Sequence, residues 1–276
     1  LSRKLKRAGV NAFLPTTLSS PKERFDEALA RLGKWIRIKW DQGPSAKESF
    51  PLGIHLEGPF LAQSCCGAHP KEYLLEPNLA QLQHWWEISH QTLARMTIAP
   101  ERGNPTEVKK IIRFCQKNGI SLSLGHSEVT EVQARFWMKN GITQLTHAWN
   151  AMPFHHRAPG VLGVFLNSPV RPLIELIPDG VHVADPVLAW THRLADVFWV
   201  SDAAPAAESP RPCSFGTLRI SVERGACRSA DGHLAGGAWT LARLYRHAIK
   251  RKALGQSSPA ASLIWDTPWR ALGLTQ

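Results

Sequence analysis

The sequence predicts an α/β fold built on a parallel β-sheet, and three observations predict it. Short apolar runs alternate with longer amphipathic ones along the 276 residues; such strand–helix alternation implies parallel pairing. The amphipathic segments carry helix start and stop signals: Ser, Asn or Thr with Pro at the beginning and Gly at the end. Polar residues gather where the strand candidates stop, and a closed parallel barrel keeps its reactive groups at those ends, whereas a doubly wound sheet gathers them at one switch point.

The strand candidates are NAFLPTT (11–17), PLGIHLEG (51–58), ARMTIAPE (94–101), SLSLGHS (121–127), ITQLTHAWN (142–150), PLIELIPDG (172–180) and DVFWVSDA (196–203). Between them, SPKERFDEALARLGKW opens with Ser20 as cap and Pro21 at the first helical position. NPTEVKKIIRFCQKNG repeats the design with Asn104 and Pro105 and stops at Gly119; TEVQARFWMKNG stops at Gly141. These seven strands are one short of a barrel's eight, so the first strand is expected before residue 1. LRISVERGACRS (218–229) reads as a hairpin. The segment after it turns helical, and Ser258-Pro259 and Thr267-Pro268 open two short helices. The expected organisation is one catalytic domain over 1–276, with a hairpin insertion at 213–237 and C-terminal helices at 238–276.

Hydrophobic and charged contents of 43% and 20% suit a soluble globular chain, not a disordered one. No apolar run is long enough to span a bilayer, so no membrane is expected. Five irregularly spaced cysteines argue against a disulfide framework and for a reducing cytoplasm. Cys65-Cys66 lacks the second pair that a metal knuckle needs. The net charge of +11 suggests an anionic partner, yet the basic residues crowd into helix-like segments 2–7, 31–40 and 246–252. With no nucleic-acid motif beside them, solvated helix faces are the simpler account and no nucleic acid is expected.

GIHLEGPF (53–60) places Glu57 at the end of an apolar strand, where a charge is costly without a partner. Taking alternate residues along each strand, Leu122, Leu124 and His126 share a face, as do Leu145 and His147, and Phe198, Val200 and Asp202. Each series is apolar until its last member. One Glu and two His suit a divalent metal such as zinc with a position open for water, leaving Asp202 as a free carboxylate to handle protons. Any one of them alone reads as readily as a hydrogen-bonded core residue; four at four strand ends do not. His69, on the loop after Glu57, either reaches this site or makes a loop hydrogen bond. Asn150, His155, His156 and Arg157 share one loop. Arg157 could clamp an anion, although a surface salt bridge is the simpler reading of its position. Asp179 and His182 follow another strand, and Glu101 reads as a group that caps or pairs near the rim rather than ligates.

The segments HLEGPF, GAHP, IAPE, GHS, THAWNAM, HRAPG, DGVHV and SDA, in this order, with GHLAGGAWTL and PWRALGL after them, resemble the N-acetylglucosamine-6-phosphate deacetylase family of metal-dependent amidohydrolases. The resemblance runs over nearly the whole chain. It implies a TIM-type (β/α)8 barrel lacking here its first strand and the flanking small β-sandwich, with sheet edges left unpaired. It implies Glu57, His126 and His147 as metal ligands, Asp202 as general base and then acid, and His69 as the group polarising the acetyl carbonyl. His69, Asn150, Ala151, Arg157 and His182 would hold the substrate, with Arg157 serving the neighbouring subunit of a homodimer. The implied reaction hydrolyses the acetamide of N-acetylglucosamine 6-phosphate to glucosamine 6-phosphate and acetate. One metal site is visible, and a second is left open. Ser201 and Gly237 depart from the family's usual Thr and Ser without removing a catalytic group. The alternatives are a related enzyme acting on another N-acetylhexosamine phosphate, or an inactive basic relative that binds polyanions.

Overall fold

The computed structural model describes residues 1–209, 211–255 and 261–274. Its strands are β1 (Ala12–Phe13), β2 (Phe50–Pro51), β3 (Ile54–Glu57), β4 (Leu93–Ile98), β5 (Ser121–Leu124), β6 (Gln144–Leu145), β7 (Leu173–Leu176) and β8 (Asp196–Trp199), followed by β9 (Cys213–Phe215), β10 (Leu218–Glu223), β11 (Ala226–Ser229) and β12 (Leu234–Gly237). Strands β3 to β8 form one parallel sheet in sequence order. Ahead of them β1 pairs in parallel with β2, and the chain then passes alongside β3. There the His55 N–H donates to Pro15 O and the Thr17 N–H to His55 O, both at 3.0 Å. Each of the seven strand candidates thus contributes parallel pairing, as the alternation implied. Strands β9 to β12 make a separate antiparallel sheet, whose central pair β10–β11 falls on 218–229.

The helices are α1 (Ser2–Arg7), α2 (Lys22–Gln42), α3 (Leu79–Ile88), α4 (Pro105–Lys117), α5 (Glu131–Lys139), α6 (Gly160–Leu166), α7 (Asp185–Leu194), α8 (Leu241–Lys250) and α9 (Asp266–Ala271). In α4, Asn104 accepts from the Thr106 N–H while Pro105, with no N–H to satisfy, takes the first position. Thr130 and Gln133 form a reciprocal capping box on α5. In α2 the expected cap shifts: Pro21 itself occupies the capping position, and no side chain caps the helix. The helix also runs on to Gln42, because its apolar stripe of Phe25, Leu29 and Ile36 stays buried well along its length. The Thr267-Pro268 start lies in α9, whereas Ser258-Pro259 lies outside the described residues. Among the described residues no helix is long and apolar enough to cross a membrane.

The two faces of the parallel sheet differ in chemistry. Ile54, Leu56, Met96, Ile98, Leu122, Leu124, Leu145, Ile174, Leu176, Val197 and Trp199 pack with helix residues such as Leu29, Trp85, Ile111 and Leu188 in one core. The alternate residues are mostly polar, with Phe198 an exception, and many bond to one another. His55 Nε2 lies 2.8 Å from Thr97 Oγ1, Thr97 Oγ1 2.8 Å from Thr146 Oγ1, and Thr146 donates to Ser123 Oγ at 2.8 Å. Nearer the strand starts, Arg95 Nη2 donates to Glu175 Oε2 at 2.9 Å and Nη1 to Gln144 Oε1 at 2.6 Å, while the guanidinium lies over Phe198. Both charged side chains are buried.

This division corrects the face assignment read from the sequence. Leu122, Leu124 and Leu145 lie on the helix side, opposite Ser123 and Thr146. His126 and His147 cannot reach the polar face by strand alternation. Their strands end at Leu124 and Leu145, and both residues turn into left-handed backbone, with φ of +49° and +28°. That turn re-aims the side chains to the side where Glu57 already points.

Breaking the Arg95–Glu175 pair strands a buried charge. Arg95→Met should therefore destabilise the fold by about 3–5 kcal/mol, and Arg95→Met with Glu175→Leu should recover most of that, read by urea unfolding.

Candidate functional site

The strand ends open into a cavity of about 1740 Å³ lined by Glu57, His69, His126, His147, Asn150, Ala151, His182 and Asp202. Glu57 is set by its neighbours on both sides of its peptide: Thr17 Oγ1 donates to Glu57 O and accepts from the Glu57 N–H, each at 3.0 Å. His126 is oriented by Nδ1, which lies 2.7 Å from Cys65 O; a carbonyl only accepts, so Nδ1 carries the proton and Nε2 is left with its lone pair. Glu101 fixes the turn that follows, accepting from Ser127 Oγ and from the Glu128 N–H. It pairs with this loop near the rim and caps no helix; Thr130 caps the helix that follows.

These supports bring three acceptor atoms together. His147 Nε2 lies 2.9 Å from Glu57 Oε1 and 3.0 Å from His126 Nε2, and His126 Nε2 lies 3.3 Å from Glu57 Oε1. All three side chains are buried. Lone pairs facing a carboxylate inside a protein require a cation between them. Without a metal ion that cation is a proton: although burial disfavours imidazolium, the hydrogen bond and charge of Glu57 bring His147 up to about 9. Burial raises Glu57, but the two imidazoles outweigh it and hold the carboxyl well below its usual range. His147 Nδ1 is buried without a partner among the described residues. A Glu, His, His set of converging donors fits a divalent metal ion, and among the described residues it is the one cluster of this kind. Cys65-Cys66 is no part of it: Cys65 contributes its carbonyl to His126.

Asp202 faces the same cavity with φ of +43°. Burial, then the charge of Glu57, push its carboxyl up to about 7. His69 is buried beside them, its ring edge-on to His126 at 5.0 Å between centroids. Burial, reinforced by His126, lowers it to about 3, so it is a neutral imidazole. His182 Nδ1 lies 2.6 Å from Asp179 Oδ2, and Asp179 Oδ1 accepts from the Val181 and His182 N–H groups. Asn150 Nδ2 donates to His147 O and Ala148 O, tying down its own loop. Arg157 stands apart: it is exposed, does not line the cavity, and makes no ion pair with a described residue. His155 and His156, their rings tilted at 43° and 4.0 Å apart between centroids, share its loop outside the cavity. Sequence reasoning missed Thr17, Cys65 and the His55–Thr97–Thr146–Ser123 chain. His55 and Thr146 stand within HLEGPF and THAWNAM, but no motif marks the bonds between these residues; Thr17 acts through its hydroxyl on the Glu57 backbone and Cys65 through its carbonyl, both set by tertiary contacts.

No family model matches the chain. Over 247 residues, 87% of this chain, it is 31% identical to the N-acetylglucosamine-6-phosphate deacetylase of Lysinibacillus sphaericus, spanning 61% of that protein. It is 32% identical over 249 residues to an N-acetylgalactosamine-6-phosphate deacetylase of Escherichia coli O157:H7, covering 88% of this chain and 63% of the relative. The fold superposes with a TM-score of 0.84 and 26% identity on the N-acetyl-D-glucosamine-6-phosphate deacetylase of Mycobacterium smegmatis, solved as a mutant with N-acetyl-D-glucosamine-6-phosphate; the match covers 98% of this chain and 70% of that one. Over most of its length the chain is similar to N-acetylglucosamine-6-phosphate deacetylases. It spans about three fifths of the length of the curated relatives it matches.

The donor set makes metal binding testable without catalysis. Added Zn²⁺ should raise the melting temperature of the wild-type chain and not that of Glu57→Gln, whose metal affinity in equilibrium dialysis should fall at least about tenfold.

Proposed function

We propose that this chain hydrolyses the acetamide of N-acetylglucosamine 6-phosphate, yielding glucosamine 6-phosphate and acetate. The observation that carries this reading is the convergence of Glu57, His126 and His147 in one cavity with Asp202 and His69. Kinship with deacetylases of phosphorylated amino sugars supports the substrate class. The parallel strands, neighbours in sequence order with reactive groups at their C-terminal ends, support reading the sheet as the wall of a TIM-type barrel.

Glu57, His126 and His147 would hold the metal, most simply zinc given one carboxylate and two imidazoles. A bound zinc ion supplies Lewis acidity that polarises an oxygen ligand and makes water acidic near neutral pH. Asp202 accepts the proton of the attacking water and returns it to the amine nitrogen as the C–N bond breaks. Its half-buried position, with its proton affinity raised, suits both halves of that transfer. His69 donates to the carbonyl oxygen as negative charge builds there. His182, held by Asp179, and the loop of Asn150 and Ala151 bind the sugar phosphate, so that remote binding energy orients the acetamide. Arg157, exposed outside this cavity, would serve the equivalent site of a second subunit in a homodimer.

Acetate release from N-acetylglucosamine 6-phosphate, with N-acetylgalactosamine 6-phosphate and unphosphorylated N-acetylglucosamine assayed beside it, tests the reading. The 6-phosphate of the gluco epimer should turn over fastest; release from none of the three would overturn it. Asp202→Asn should lower kcat by about 10²–10⁴-fold with the metal still bound. His182→Ala should instead raise KM for the phosphorylated sugar while leaving the slow turnover of N-acetylglucosamine unchanged.

A further inference from the structure

His69 has a partner that no motif announced. Its Nδ1 lies 3.2 Å from the backbone N–H of Ser19 and 2.9 Å from the Ser19 hydroxyl oxygen. Ser19 is about 1% exposed, so water does not compete for these bonds. A backbone N–H can only donate. Nδ1 must therefore accept, because a proton on it would face the amide hydrogen directly. The proton of the neutral ring is left to Nε2. Among the described residues Nε2 has no hydrogen-bond partner, and His69 lines the cavity.

Gly58 makes this contact possible. A Cβ at that position, where φ is +69°, would come within 2.3 Å of Ser19 Oγ and 3.0 Å of His69 Nδ1. The glycine that follows Glu57 therefore leaves the space in which Ser19 meets the ring.

We propose that Ser19 is a positioning residue that fixes His69 as the Nε2–H tautomer, presenting a hydrogen-bond donor to the substrate carbonyl. The proposal rests on the reading of His69 as the group that meets the acetyl oxygen. In the other tautomer, Nε2 would turn a lone pair on that oxygen and repel it as its charge grows. The backbone N–H of Ser19 selects the tautomer, and the hydroxyl holds the ring plane so that the selection is complete.

Side-chain ¹⁵N NMR of histidine-labelled protein tests this, with the His69 signals assigned by their absence in His69→Gln. In wild type we expect a bare Nδ1 and a protonated Nε2. Ser19→Ala should lower kcat about five- to tenfold with KM within twofold, as the loss of one buried hydrogen bond implies, and should show a larger Nδ1–H fraction. Ser19→Thr, which keeps the hydroxyl, should hold kcat within twofold of wild type and supplies the comparison if Ser19→Ala does not fold. A protonated Nδ1 in wild type, or an unchanged kcat in a folded Ser19→Ala, overturns the proposal. Wild-type protein that releases no acetate but shows the Nε2–H tautomer would overturn the substrate reading while leaving the Ser19–His69 assignment supported.

Discussion

The fold is organised around one buried carboxylate. Glu57 sits at the end of β3 with two imidazoles within hydrogen-bond reach of the same oxygen. A carboxylate in that position is stable only with positive charge beside it. The surrounding structure can be understood as what that requirement imposes: Thr17 clamps the peptide of Glu57, Cys65 turns His126, and left-handed turns after β5 and β6 bring both rings round. Asp202, a second, half-buried carboxylate in the same cavity, has its proton affinity raised by desolvation and then by the charge of Glu57 nearby. The two acids are thereby driven apart in pKa, the condition under which one binds a cation and the other moves protons.

Much of this was legible in the sequence, and the reasons are specific. The strands of the parallel sheet are short apolar runs with helices between them, and caps such as Asn104-Pro105 and Thr130 with Gln133 are local signals that local structure obeys. The site residues were legible because ionisable groups at apolar strand ends are expensive, so a set of them implies a common partner. The orientation of two of them was not. Alternation correctly places His55 and Glu57 on one face, because both lie within β3. It fails at His126 and His147, which lie beyond the last paired residue, where the backbone is free to reverse its hand. Strand periodicity says nothing past the end of the strand.

The residues that set chemistry from behind the site were the least legible. Thr17 and Ser19 lie in a segment whose pattern is that of an ordinary strand followed by a helix start. They matter only because that segment runs beside β3, a contact between residues about forty to fifty positions apart. The inner polar layer shows the same limit. Ser123, Thr146 and Thr97 look like unremarkable strand residues singly, and become a hydroxyl chain only when three strands are set side by side.

The left-handed backbone at His126, His147 and Asp202 also bears on how the chain would drift. Residues with a Cβ resist that conformation, while glycine and asparagine accept it. At all three positions a substitution that ruins the chemistry would relax the main chain. Selection for thermostability alone would thus be drawn to the positions it should leave untouched, and a stabilised descendant obtained without an activity screen would tend to be a well-folded, inert one.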